Sequence, residues 1–167
     1  VVVVLVLRRP IGAVLGQGVR RLRAGPVEVE FADKLAEVRQ EIGQSPDLAA
    51  LPVAARPSLL AELSGVAEAS PRAAVLEAFG RVEARLREML DNNPNSTVSL
   101  MSPIELARLG NRVGVISEQT LSAIEGLFVL RNLAAHSPAE ALSVNEAKDF
   151  LALADAVLYA LRAKDAT

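Results

Sequence analysis

Residues 117–138 read SEQTLSAIEGLFVLRNLAAHSP, and this stretch decides the fold. Ser117 is a good N-cap, Glu118 follows it in the first turn, and Ser137-Pro138 closes the run, because a residue before proline is pushed out of the α region. Between these signals lies an apolar-rich segment of helical period, with Leu121, Ile124, Phe128 and Arg131 expected on one side. The spacing predicts a long helix from Ser117 or Glu118 to about Ala135. A charged Arg131 falls where a bundle would ordinarily place a leucine.

The flanking sequence repeats the same grammar. Ser70-Pro71 supplies a cap and a proline at the first helical position, where its missing N–H costs nothing. A helix is expected from there to about Leu90, with Val75, Phe79, Val82, Leu86 and Leu90 inward, ended by Asp91-Asn92-Asn93-Pro94. Ser102-Pro103 starts a shorter helix to about Arg112, with Ile104 and Leu109 inward and Gly110 and Gly114 limiting its length. Ser143 and Glu146 form a capping box, and Phe150, Leu151, Ala154, Val157, Leu158 and Leu161 carry a last helix to the end. Short connections favour antiparallel neighbours, so the expected fold class is all-α, an up-down helical bundle of about four helices. A short helix over Leu59–Ala69 places the start of this bundle domain at residue 59, and the domain then occupies 59–167.

Composition agrees. The 167-residue chain has room for one domain with a real core plus an appendage. It is rich in Ala, Leu and Glu and has no Trp and one Tyr, as packed helices require. The absence of cysteine excludes disulfides and thiol catalysis, and with one histidine it argues against a protein zinc site. No cofactor and no metal are expected, since no Gly-rich phosphate loop follows a strand.

Upstream of residue 59 the sequence changes character. Val1–Leu7 is an uninterrupted apolar run that stops at Arg8-Arg9-Pro10. A helical span needs about 20 residues, so residues 1–9 are expected to be the end of a truncated transmembrane helix. The arginines after it suit a cytoplasmic flank, which makes the protein membrane-anchored with its domain facing the cytoplasm. Residues 10–58 then read as a juxtamembrane linker holding one short helix, Asp33–Ile42, with Phe31, Leu35, Val38 and Ile42 on one side. Val27–Phe31 alternates like a short strand.

Charge follows the same division. Residues 1–25 carry five arginines and no acid, leaving 13 basic and 20 acidic residues in the remainder, a balance of −7. Nonspecific nucleic-acid affinity comes from neutralising phosphates, so contact with RNA must be local. Arg81 with Arg85, and Arg108 with Arg112, are spaced to share helix faces, either as RNA contacts or as solvated faces paired with nearby glutamates.

The one histidine concentrates the chemistry. His136 lies five residues after Arg131 and four after Asn132, in the last turn of its helix, at the negative end of the macrodipole, where a cation is favoured. An imidazole can transfer protons, and a nearby guanidinium can hold a phosphate and stabilise charge as it develops. On an ideal helix the step from residue 131 to 136 turns through about 140°, so the two side chains diverge unless the last turn unwinds. A histidine bonding its own helix carbonyls is the structural alternative.

Arg131, Asn132 and His136, closing a long helix and followed by one more amphipathic helix, resemble the Arg-x4-His motif of HEPN domains. The resemblance covers residues about 70–163. It implies a homodimer whose motif residues line a cleft at the interface. There RNA is cleaved without a metal, the 2′-hydroxyl attacking to leave a cyclic phosphate. Arg131 would be the phosphate and transition-state stabiliser, His136 the general acid/base, and Asn132 the polar residue that orients them. The family also contains noncatalytic members, so the alternative is a dimerisation or nucleotide- or RNA-binding module on a membrane-anchored protein. An antitoxin-type partner is a further implication of the family, and the sequence does not identify one.

Overall fold

The computed structural model describes residues 26–44, 58–90 and 97–163, and every regular element among them is helical. Six α-helices carry the fold: α1 (Pro26–Gln44), α2 (Leu59–Ala69), α3 (Pro71–Leu90), α4 (Pro103–Arg112), α5 (Glu118–His136) and α6 (Val144–Ala163). Residues 1–9, read from sequence as the end of a membrane span, lie outside the described residues, and so do residues 45–57 of the expected linker. Among the described residues no helix is long and apolar enough to cross a membrane.

The start and stop signals operate as their chemistry dictates. Ser58 accepts the Ala61 N–H at 3.0 Å, and Ser117 accepts that of Thr120 at 3.2 Å, so both satisfy a donor the first helical turn leaves open. Ser102 and Glu105 form a reciprocal capping box on α4, and Ser143 and Glu146 do the same on α6. The Ser102 backbone N–H and then its hydroxyl, bonding the Glu105 carboxylate at 2.8 and 2.7 Å, hold that carboxyl below its ordinary range. Helix α4 ends at Arg112, and two residues on the chain turns at Gly114, whose φ of 79° lies in the left-handed region that favours glycine. There the Val115 and Gly114 N–H groups return to the Gly110 and Asn111 carbonyls at 2.9 and 3.0 Å.

Helix α1 departs from the sequence reading. Residues 27–31 are helical and do not form a strand. Two-residue alternation over five positions is too short to fix a period, and Phe31 instead opens the row Phe31, Leu35, Val38, Ile42, all buried. Val29, which a strand would have placed beside Phe31, is 45% exposed. Those four side chains join the same apolar core as α5 and α6. The core therefore begins upstream of residue 59, and α1 is a packed element of it, although its sequence reads as linker.

Pairs of contacts give the helix directions. Helix α5 is antiparallel to α1, because Ser122 donates to Glu41 while Gly126, one turn on, meets Val38. A Cβ at Gly126 would overlap Val38 Cγ2, so this glycine is what lets the two helices approach. Helix α5 is also antiparallel to α3, through Arg72 with Ser137 at one end and Phe79 with Phe128 near the middle. Helix α2 is antiparallel to α6: Asp155 accepts the Leu59 N–H at 2.9 Å, capping α2 from another helix, and Lys148 pairs with Glu68. Helices α3 and α6 pack along each other and contribute Phe79, Val82, Leu86, Phe150, Val157 and Leu161 to the centre.

Two inward faces differ in phase from the sequence expectation. In α4 the buried residues are Leu106, Ala107 and Gly110, while Ile104 and Leu109 are half-buried, because its neighbours α3 and α5 select the face of so short a helix. In α5 the buried row is Thr120, Ala123, Ile124, Leu127, Leu130 and Ala134, and Leu121 and Phe128 lie at its edge. The stripe is rotated by about one residue.

Candidate functional site

That rotation relocates Arg131. It sits at the margin of the buried row and does not interrupt it: Leu130 and Ala134 take the inward positions, and Arg131 is half-buried. Its hydrocarbon stem can lie along the apolar edge while the guanidinium reaches outward, the ordinary solution for a long cationic side chain. Arg131 Nη1 donates to the Asn132 side-chain carbonyl at 3.0 Å. Asn132, itself half-buried, thus fixes one direction of the guanidinium.

His136 is exposed and has no side-chain partner among the described residues. It does not fold back onto its own helix carbonyls. One of those carbonyls is served by Ser137, whose N–H bonds Leu133 O at 3.0 Å and whose hydroxyl bonds the same oxygen. The N–H bond is of the α-helical kind, so the last turn stays regular through His136 and does not unwind. The step of about 140° between Arg131 and His136 is retained within one chain. The structure therefore joins Arg131 to Asn132 and leaves His136 facing solvent on a different sector of the helix.

A third basic residue reaches this end of α5, and sequence reading missed it. Arg72, in the first turn of α3, donates from Nη2 to the Ser137 carbonyl at 2.5 Å, next to His136. Its position did carry a signal. The positive end of a helix macrodipole favours acids, yet the first turn of α3 holds this arginine and no acid. An arginine misplaced for its own helix is correctly placed for the C-terminus of another.

Of the other arginines singled out by spacing, Arg81, Arg85 and Arg108 are engaged, while Arg112 is exposed. Arg81 bonds Glu77 at 2.9 Å and Glu62 at 3.5 Å, Arg85 bonds Glu88 at 2.9 Å, and Arg108 bonds Glu125 at 3.0 Å. Hydrogen bonding to Glu77 is the main cause of the raised Arg81 pKa. These are salt-bridged faces, as the acidic body demands. An open groove of about 410 Å³ lies between α2, α3 and α6, lined by Glu62, Arg81, Arg85, Glu88, Asp155 and Arg162 among others; none of Arg131, Asn132 and His136 lines it. Among the described residues no group of histidine and acidic side chains could hold a metal ion.

Comparison with protein-family models, with curated proteins and with solved structures finds no match.

Proposed function

We propose that the chain is a metal-independent endoribonuclease of the HEPN type, built as an up-down bundle around the long helices and working as a homodimer. The observation that carries this reading is the state of the one histidine. His136 stands free in solvent in the last turn of α5, close in sequence to an arginine whose guanidinium is oriented by its polar neighbour. An imidazole with no internal hydrogen bond to give up is available to take the 2′-hydroxyl proton and to return a proton to the departing 5′-oxygen. As the 2′-oxygen bonds to phosphorus and the bond to the 5′-oxygen breaks, negative charge grows on the phosphoryl oxygens, where Arg131 would act.

The divergence of Arg131 and His136 within one chain favours a site completed across a two-fold axis, Arg131 from one protomer serving beside His136 of the other. The same divergence also favours the second reading, a noncatalytic dimerisation or nucleotide- or RNA-binding module. In either case residues 1–9 would anchor the protein in a membrane with the bundle on the cytoplasmic side, and an antitoxin-type partner belongs to the same proposal.

The chemistry of the cut ends tests the reaction. Purified protein given single-stranded RNA in excess chelator is expected to leave a 2′,3′-cyclic phosphate and a 5′-hydroxyl, resolved by mass spectrometry of the fragments. A substrate with 2′-deoxyribose at the cleaved position should resist. Products ending in 3′-hydroxyl and 5′-phosphate, or cutting of the deoxy-substituted strand, would reject 2′-hydroxyl attack.

A further inference from the structure

We infer that Arg72 is a positioning residue for His136, a clamp from α3 that holds the end of α5; its catalytic consequence rests on the function proposed above. Four carbonyls at a helix C-terminus lack intrahelical partners, and the turn that carries them frays unless something binds them. At the end of α5 two devices act together. Ser137, 6% exposed, bonds back to Leu133 O, and its own carbonyl accepts from Arg72 Nη2. The Ser137 carbonyl lies just past the last turn of α5, and its donor comes from 65 residues away in the chain, on α3.

Three features make Arg72 suited to this task. Its charge meets the negative end of the α5 macrodipole, which attracts a cation. A hydrogen bond from an ionised donor is about twice as strong as a neutral one. Its Nε is buried without a hydrogen-bond partner among the described residues, so the side chain is not divided between competing acceptors at that atom. A buried unpartnered donor is costly, and its retention calls for a compensating role. Securing the residue beside the one histidine is such a role.

The test uses the full chain and the fact that it contains a single histidine, whose ring therefore gives one set of NMR signals. Arg72→Met keeps the apolar stem and removes the guanidinium; Arg72→Lys keeps a charged donor. In Arg72→Met, amide exchange at Ser137 should quicken by about tenfold, the factor expected when one charge-assisted hydrogen bond is lost. The His136 ring signals should shift, while exchange at core amides such as Leu86 and Val157 stays as in the parent. Arg72→Lys should restore most of both. On RNA, kcat should fall by about tenfold with KM held within about twofold, because orientation of the acid/base is lost and substrate binding is not. Unchanged Ser137 exchange and His136 signals in Arg72→Met would overturn the clamp. So would equal quickening at the core amides, or global unfolding of both Arg72→Met and Arg72→Gln, since Arg72 would then serve general stability. If the parent protein cuts no RNA, the proposed function fails, and the clamp is still decided by the exchange and ring signals.

Discussion

His136→Ala is expected to abolish RNA cleavage while leaving the helical circular dichroism and the thermal midpoint close to those of the parent. The side chain is exposed and bonds to nothing among the described residues, so its removal takes away no packing and no internal hydrogen bond. Surface substitutions of this kind change stability by about 0.5 kcal/mol or less. Catalysis is another matter, because the chain has no second histidine to take over the proton transfer. Arg131→Ala should lower kcat by about 100-fold or more, the usual cost of losing one donor aimed at developing charge. Asn132→Ala should cost less, since it frees the guanidinium without removing it. Cleavage that survives His136→Ala, or that requires an added divalent ion, would contradict the assignment.

Phe79→Ala is expected to produce the largest loss of stability at a position linked to the site. Phe79 is 2% exposed in the centre of α3, and its ring meets that of Phe128 on α5 at a centroid distance of 5.8 Å with the planes tilted by 50°. Truncating a buried phenylalanine costs about 3–5 kcal/mol through lost transfer energy and the cavity left behind. The tilted ring pair adds about 0.5–1.5 kcal/mol to what is lost. A typical domain is stable by about 5–15 kcal/mol, so the variant should be marginal. Urea denaturation should show a much lower midpoint with the slope unchanged. A loss below about 1 kcal/mol would mean that α3 and α5 do not meet as described.

The contrast between these two substitutions follows what the sequence makes legible. Caps and prolines are local signals, and Ser102, Ser117 and Ser143 start their helices where the spacing of hydroxyl, proline and glutamate predicts. The rows of α3 and α6 are long and strongly periodic, and both face inward as expected. Phase was harder in α5, which is apolar on more than one side, so that Leu121 and Phe128 compete with Leu127 and Leu130 for the inward face. The packed neighbours settle that, and α1 and α3 among them sit far away in the chain. For the same reason α1 reads as linker: glycine and proline surround it, and nothing local reveals that Val38 will fit against Gly126.

The candidate site divides similarly. The triplet Arg131, Asn132 and His136 is visible as a motif, and the Arg131–Asn132 bond is a local contact between sequence neighbours. The helical pitch already implied that Arg131 and His136 diverge, and the unbroken last turn of α5 keeps them so. Arg72 lies 65 residues from Ser137, and a contact of that range leaves no local pattern beyond an arginine in an unfavourable helical turn.

Because one chain does not bring Arg131 and His136 together, complementation between two inactive variants tests the account most directly. Arg131→Ala and His136→Ala proteins, each inactive, are unfolded, mixed in equal amounts and refolded, and heterodimer formation is verified by native mass spectrometry. Each heterodimer has one site that combines an intact Arg131 from one protomer with an intact His136 from the other. The account predicts that part of the RNA-cleaving activity returns, at a level that tracks the heterodimer fraction. A mixture as inactive as either parent, with heterodimers present, would contradict it.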